Sequence, residues 1–158
     1  MTELSLRNAT ERDDPSILSL LTDMHAEAGM GSLNKSKVLN SIRHCRQLGC
    51  IILAETGGVP VAVMGLKPDR FWWSDDLGLF DQFTYVAPSA RKTKAIFKMV
   101  DAATKMAKDA GIPLLLANFG TVDTQRKSRL YKRFGKDLGT TVITVSYTHL
   151  TLPTIYSV

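Results

Sequence analysis

Three features of this chain predict an α+β fold in which a mixed, mostly antiparallel sheet is flanked by helices. The apolar pattern alternates between a two-residue and a 3.6-residue period, in the order β-α-α-β-β-β-α-β-α-β. Two neighbouring β-rich runs are joined by E-T-G-G, a hairpin signal. A later strand passes through Pro88 into a basic turn and then a long amphipathic helix, and the rest of the chain is organised around that stretch.

Leu4 and Leu6 alternate with polar residues as a first strand, and Asp14-Pro15 reads as the N-cap and first residue of a helix. That helix buries Ile17, Leu18, Leu21 and Met24 and ends near Gly29. Asn34 caps a second helix, with Val38, Ile42 and Cys45 on one face and Gly49 at its stop. Cys50 to Ala54 and Val59 to Leu66 are the hairpin strands. Lys67 to Gly78 reads as a polar loop interrupted by Phe71, Trp72 and Trp73, and Leu79 to Val86 as the next strand. Ile96, Met99, Val100, Ala103, Met106, Ala107 and Ala110 recur at helical spacing, with Gly111 and Pro113 as the stop. Leu114 to Phe119 is a buried strand, Thr124 to Phe134 a short helix ended by Gly135, and Thr140 to Val145 a last strand.

The 158 residues, 44% hydrophobic, suit one globular domain with a full-sized core, expected over residues 1–145. No apolar run approaches the roughly 20 residues needed to cross a bilayer, and M-T-E-L-S-L-R lacks the apolar centre of a signal peptide. A cytoplasmic protein with no membrane partner is expected, with Cys45 and Cys50 as reduced thiols and no metal-type spacing. The net charge of +5 is unevenly spread: residues 1–90 hold 8 basic and 11 acidic side chains, residues 91–136 hold 12 and 3. A strand feeding a helix N-terminus through this basic turn gathers unpaired N–H groups and positive charge, which attract phosphate. Nucleic acid would be drawn to such a patch too, and a solvated helix face is the plainer meaning of scattered lysines.

The segment V-A-P-S-A-R-K-T-K-A-I resembles the pyrophosphate-binding loop of the GNAT superfamily of N-acetyltransferases, V-x-P-x-x-R-G-x-G-x-G or A. Val86, Pro88 and Arg91 fall in place, whereas Lys92, Lys94 and Ile96 hold the glycine positions. A looser variant, R-x-S-x-A-A, is familiar from bacteriophage GNAT-like proteins, and R-K-T-K-A-I is similar to it. S-R-L-Y-K-R-F-G, Ser128 to Gly135, resembles a second family segment, A-x-x-L-Y-E-K-L-G-F.

The resemblance implies a GNAT fold and transfer of acetyl from acetyl-CoA to a primary amine of a small molecule or peptide. It implies that the backbone of Thr84, Tyr85 and Val86 holds the pantetheine arm and polarises the thioester carbonyl. Arg91, Lys92, Thr93, Lys94, Ala95 and Ile96 would meet the pyrophosphate, and Thr124 stands where many members have Asn. Tyr131 would protonate the departing thiolate, and Asp81, at the start of the strand, is the candidate base. Strand alternation places Asp81, Phe83 and Tyr85 on one face, with Gln82, Thr84 and Val86 on the other. His25, Glu27, Trp72 and Trp73 are the candidates for lining the acceptor site, since aromatics with acids suit a cationic amine. Two rival functions follow from the same residues: a catalytically silent protein of this fold that binds CoA or a partner protein, and a nucleic-acid binder using the basic 91–136 surface. Residues 146–158, S-Y-T-H-L-T-L-P-T-I-Y-S-V, resemble a translated sequencing adapter, as found in genes from metagenomic assemblies, and are expected to be non-native.

Overall fold

The computed structural model describes residues 3–117 and 124–136. The expected strand Thr140 to Val145 and the tail 146–158 lie outside the described residues. Strands β1 (Leu4–Asn8), β2 (Ile51–Thr56), β3 (Val59–Arg70), β4 (Leu77–Val86) and β5 (Leu114–Leu115) form one sheet in sequence order. β1 to β4 are antiparallel neighbours, and β5 runs parallel to β4. Helices α1 (Asp14–Ala28) and α2 (Lys35–Gln47) cover one face, α3 (Ala95–Ala110) the other, and α4 (Thr124–Tyr131) packs beside α3.

Local chemistry accounts for the helix ends. Asn34 accepts the Lys37 N–H at 3.0 Å and caps α2. The first helix begins one residue earlier than its sequence suggests. Asp14 is already helical, and a 3-10 turn over Glu11–Asp13 precedes it, closed by Asp13 accepting the Thr10 N–H at 2.7 Å. Asp14 instead binds Arg46 of α2 at 2.8 Å, tying the two helices together. Gly57 and Gly58, at φ 60° and 77°, make the β2–β3 turn that residues with a β-carbon resist.

Two apolar layers flank the sheet. On one side Ile17, Leu20 and Leu21 of α1 and Ile42 and Cys45 of α2 meet Ile51, Leu53, Val63, Phe83 and Tyr85. On the other, Met99, Val100, Ala103 and Ala107 of α3 meet Ile52, Ala54, Met64, Leu66, Leu79 and Val86. Met99 and Val100 are wholly buried, and burial of each such side chain stabilises the fold by about 1.5–3 kcal/mol.

Half of the expected loop Lys67 to Gly78 is strand. β3 continues to Arg70 and β4 starts at Leu77, so only Phe71–Asp76 form the turn. The expected alternation in β4 is also corrected. Gly65 pairs with Phe83 and Leu66 with Asp81, leaving Gln82 as an extra residue in a bulge. Beyond it the two faces exchange. Asp81 therefore shares a face with Thr84, whose hydroxyl donates to its carboxylate at 2.9 Å, while Phe83 and Tyr85 point to the α1–α2 side.

Candidate active site

Pairing between β4 and β5 is confined to Leu79–Leu114 and Phe80–Leu115. From Asp81 onward, β4 has no strand partner on that side among the described residues, and a cleft of about 560 Å³ opens there. Its walls come from the end of β4 and the turn after it, Glu27 at the end of α1, Ile96 and Phe97 of α3, the face of α4 carrying Arg126, Lys127, Arg129 and Leu130, and Arg133 just after that helix. Lys94 and Arg91 complete a rim of six cations facing one acid, Glu27.

Two main-chain carbonyls on the open edge are already engaged. Lys127 Nζ donates to the Thr84 carbonyl at 3.1 Å, and Arg91 Nε to the Val86 carbonyl at 3.1 Å. Arg91 also meets both carboxylate oxygens of Glu27, at 2.7 and 2.6 Å, and its guanidinium lies 5.8 Å from the centre of the Tyr85 ring. The Tyr85 hydroxyl donates to Glu27 Oε1 at 2.6 Å. Tyr85 and Arg91 together hold the Glu27 carboxyl below the ordinary range, and burial, then Glu27, push the Tyr85 phenol up to about 12.

The basic turn offers few free donors. Thr93 donates its hydroxyl to the Ala90 carbonyl at 2.6 Å and accepts the Ala95 N–H at 3.2 Å, so it caps α3 locally. Ala95 is turned wholly into the core. The N–H groups of Arg91 and Thr93 close the 3-10 turn and the bend after it. Those of Lys92 and Lys94 meet no partner among the described residues and remain at the α3 N-terminus for an anion. Lys94 and Ile96 lie on the cleft wall, whereas Lys92 is exposed outside it.

Behind the Lys127–Thr84 contact lie Asp81 and Tyr131. Burial raises the Asp81 carboxyl from 3.8 to about 6, with the Thr84 hydroxyl, the Lys127 charge and the Ala117 backbone pulling the other way. The Tyr131 hydroxyl is buried with no hydrogen-bond partner among the described residues. Burial first, and then the Asp81 charge, hold its proton far more tightly than in a free phenol, and the nearby Thr84 hydroxyl offsets part of this. A carboxyl and a buried phenol oxygen thus stand near the point where β4 and β5 part.

The candidates for the acceptor site scatter. Glu27 is on the cleft wall. His25 Nε2 lies 3.1 Å from both the Met30 and Gly31 carbonyls and pins the turn after α1. Trp72 and Trp73, 91% and 65% exposed, sit at the β3–β4 tip, the opposite end of β4 from Val86, with Trp73 against Phe71 and Trp72 against Trp73, and neither lines the cleft. Thr124 opens α4. Lys127 and the arginines Arg126 and Arg129 of α4 were not singled out from sequence; the i, i+3 spacing of Arg126 and Arg129 was the available signal.

An open parallel–antiparallel junction with a cationic turn beside it is the arrangement of an acyltransferase-type fold. The family model for the acetyltransferase (GNAT) family matches residues 16–136, and the chain belongs to that family. No curated protein matches the chain in sequence. Among solved structures it is similar to a predicted acetyltransferase of Clostridium acetobutylicum with acetyl-CoA, at 14% identity and a TM-score of 0.71, covering 91% of this chain and 96% of that one. It is also similar to the aminoglycoside N-acetyltransferase AAC(6')-Iy in complex with CoA, at 13% identity and TM-score 0.69, covering 94% and 97%. A GCN5-related N-acetyltransferase of Ralstonia eutropha follows the same fold at 21% identity and TM-score 0.68, over 92% and 99%. Among the described residues no helix is long and apolar enough to cross a membrane.

Proposed function

We propose that this chain transfers an acetyl group from acetyl-CoA to a primary amine, with the open edge of β4 as the donor site. The observation that carries the reading is the coincidence, at one strand edge, of a cationic cleft and a half-buried carboxyl beside a phenol whose oxygen is buried. The cleft volume lies within the range of about 300–1,000 Å³ usual for small-molecule sites. The residues present suit CoA: the free N–H groups of Lys92 and Lys94 and the charges of Lys94 and Arg91 would take its diphosphate, and the β4 edge its amide-bearing arm. When bound, acetyl-CoA supplies an acyl group on a thiolate that leaves readily.

The chain's own part is positioning and proton traffic. Asp81, with its carboxyl near pH 6, is mostly ionised at neutral pH and can take a proton from an ammonium acceptor. Tyr131 stays protonated and keeps that proton for a sulfur anion. Lys127 stands between this pair and the cleft, so its side chain must swing aside for the arm to reach the Thr84 carbonyl. Similarity to acetyl-CoA and CoA complexes supports the donor, and similarity to an aminoglycoside acetyltransferase supports a small amine as acceptor.

The engagement of Arg91 by Glu27 favours a second reading, a silent member of the fold that binds CoA without turnover. Thermal shift with acetyl-CoA, followed by free-thiol release over a panel of amines, separates the two. Stabilisation with amine-dependent thiol release is the expected result; stabilisation without release supports the silent version. No stabilisation contradicts both.

A further inference from the structure

We propose that Lys127 is itself an acceptor: the chain acetylates this lysine with acetyl-CoA, in cis, at the β4 edge. The inference rests on the donor reading above and adds a modification site to it. Lys127 Nζ is held at 3.1 Å from the Thr84 carbonyl, so once the arm displaces it from that carbonyl the amine stays beside the strand edge that the thioester would follow. Lys127 lines the cleft, and its charge lies within electrostatic reach of both Asp81, the carboxylate assigned as base, and Glu27. Tyr131 lies one helical turn along α4 from Lys127, so the two side chains share a face of the helix and reach the same end of β4. Lys92 and Lys94 lie in the turn before α3, away from the Asp81–Tyr131 pair.

The proton balance closes with groups already present. Of the three protons on the Lys127 ammonium, one passes to Asp81 and on to solvent. The nitrogen lone pair then forms the new bond to the acyl carbon as the carbon–sulfur bond breaks. Tyr131 gives its proton to the sulfur and takes the second from the nitrogen, and the third stays on the amide. The result is an uncharged amide in place of the ammonium, and the cleft rim loses one positive charge.

The test is incubation of the purified protein with isotope-labelled acetyl-CoA, with peptide mass spectrometry timed at early points and a parallel thermal shift with CoA. Label is expected at Lys127 ahead of Lys92 and Lys94, at a rate independent of protein concentration, and slowed about 100-fold or more in Tyr131→Phe. Loss of tryptic cleavage after Lys127 should follow the label, and Lys127→Arg should abolish that product. Label spread evenly over exposed lysines and unchanged by Tyr131→Phe, or no label despite a clear CoA shift, overturns the inference and leaves the donor reading standing. Absence of any CoA shift overturns the donor reading itself.

Discussion

Arg91 and Glu27 form a two-point ion pair across the mouth of the cleft, with one guanidinium nitrogen 2.7 and 2.6 Å from the two carboxylate oxygens. The pair is partly exposed, so its own contribution to stability is small, about 0–1 kcal/mol. Its consequence is for binding. Among the described residues Glu27 is the one acid on a rim of cations, and in the proposed donor site it occupies an arginine that would meet the diphosphate. Glu27→Gln should therefore raise CoA affinity severalfold, and Arg91→Ala should lower it about tenfold or more. Calorimetric titration reads both, and equal effects of the same sign would argue against the competition.

Asp81 links the site to pH. Folded Asp81 keeps its proton to about pH 6, while the unfolded carboxyl gives it up near 3.8, so the folded state binds more protons between those values. Stability should fall as pH rises from about 4 to about 6 and level off above, by up to about 3 kcal/mol. Asp81→Asn keeps an acceptor for the Thr84 hydroxyl, so it should remove this dependence and stabilise the fold at neutral pH. Turnover should rise with ionisation near pH 6 in the parent and lose that inflection in the variant. Denaturant melts at four pH values, with rate profiles, are the check.

Tyr131→Phe separates catalysis from folding. The hydroxyl is buried and unpaired among the described residues, so its removal discards a desolvated polar group and should leave the melting temperature unchanged or slightly higher. Turnover should drop by about 100-fold with CoA affinity retained. A variant that melts lower and binds CoA poorly would mark Tyr131 as a packing residue instead.

Gly65 lies opposite Phe83 beside the Gln82 bulge, and a β-carbon there would fall on the Phe83 ring. Gly65→Ala should cost about 1–3 kcal/mol by displacing that ring. Phe83→Leu in the same chain should recover part of the loss, which a double-mutant cycle of denaturant melts would show.

Element order and most element ends were legible because caps and periods are local: Asn34, Gly57-Gly58 and the α3 stripe each declare themselves within a few residues. The bulge at Gln82 was not legible, since it depends on Gly65 making room for Phe83 across the strand pair, and it carried Asp81 to the face of Thr84. Glu27 was legible as a residue near the site but not as the partner of Arg91, 64 positions away in sequence. Trp72 and Trp73 misled because composition suggests an aromatic lining, whereas the extended β3–β4 hairpin carries them to the far end of the sheet.

The central claim is that the unpaired edge of β4 and the turn at Arg91 form one donor site. Amide hydrogen exchange with and without CoA tests it most directly. The account predicts slowed exchange at Thr84, Val86, Lys92, Lys94 and the first turn of α3. Unchanged exchange there, with protection elsewhere or none, would contradict it.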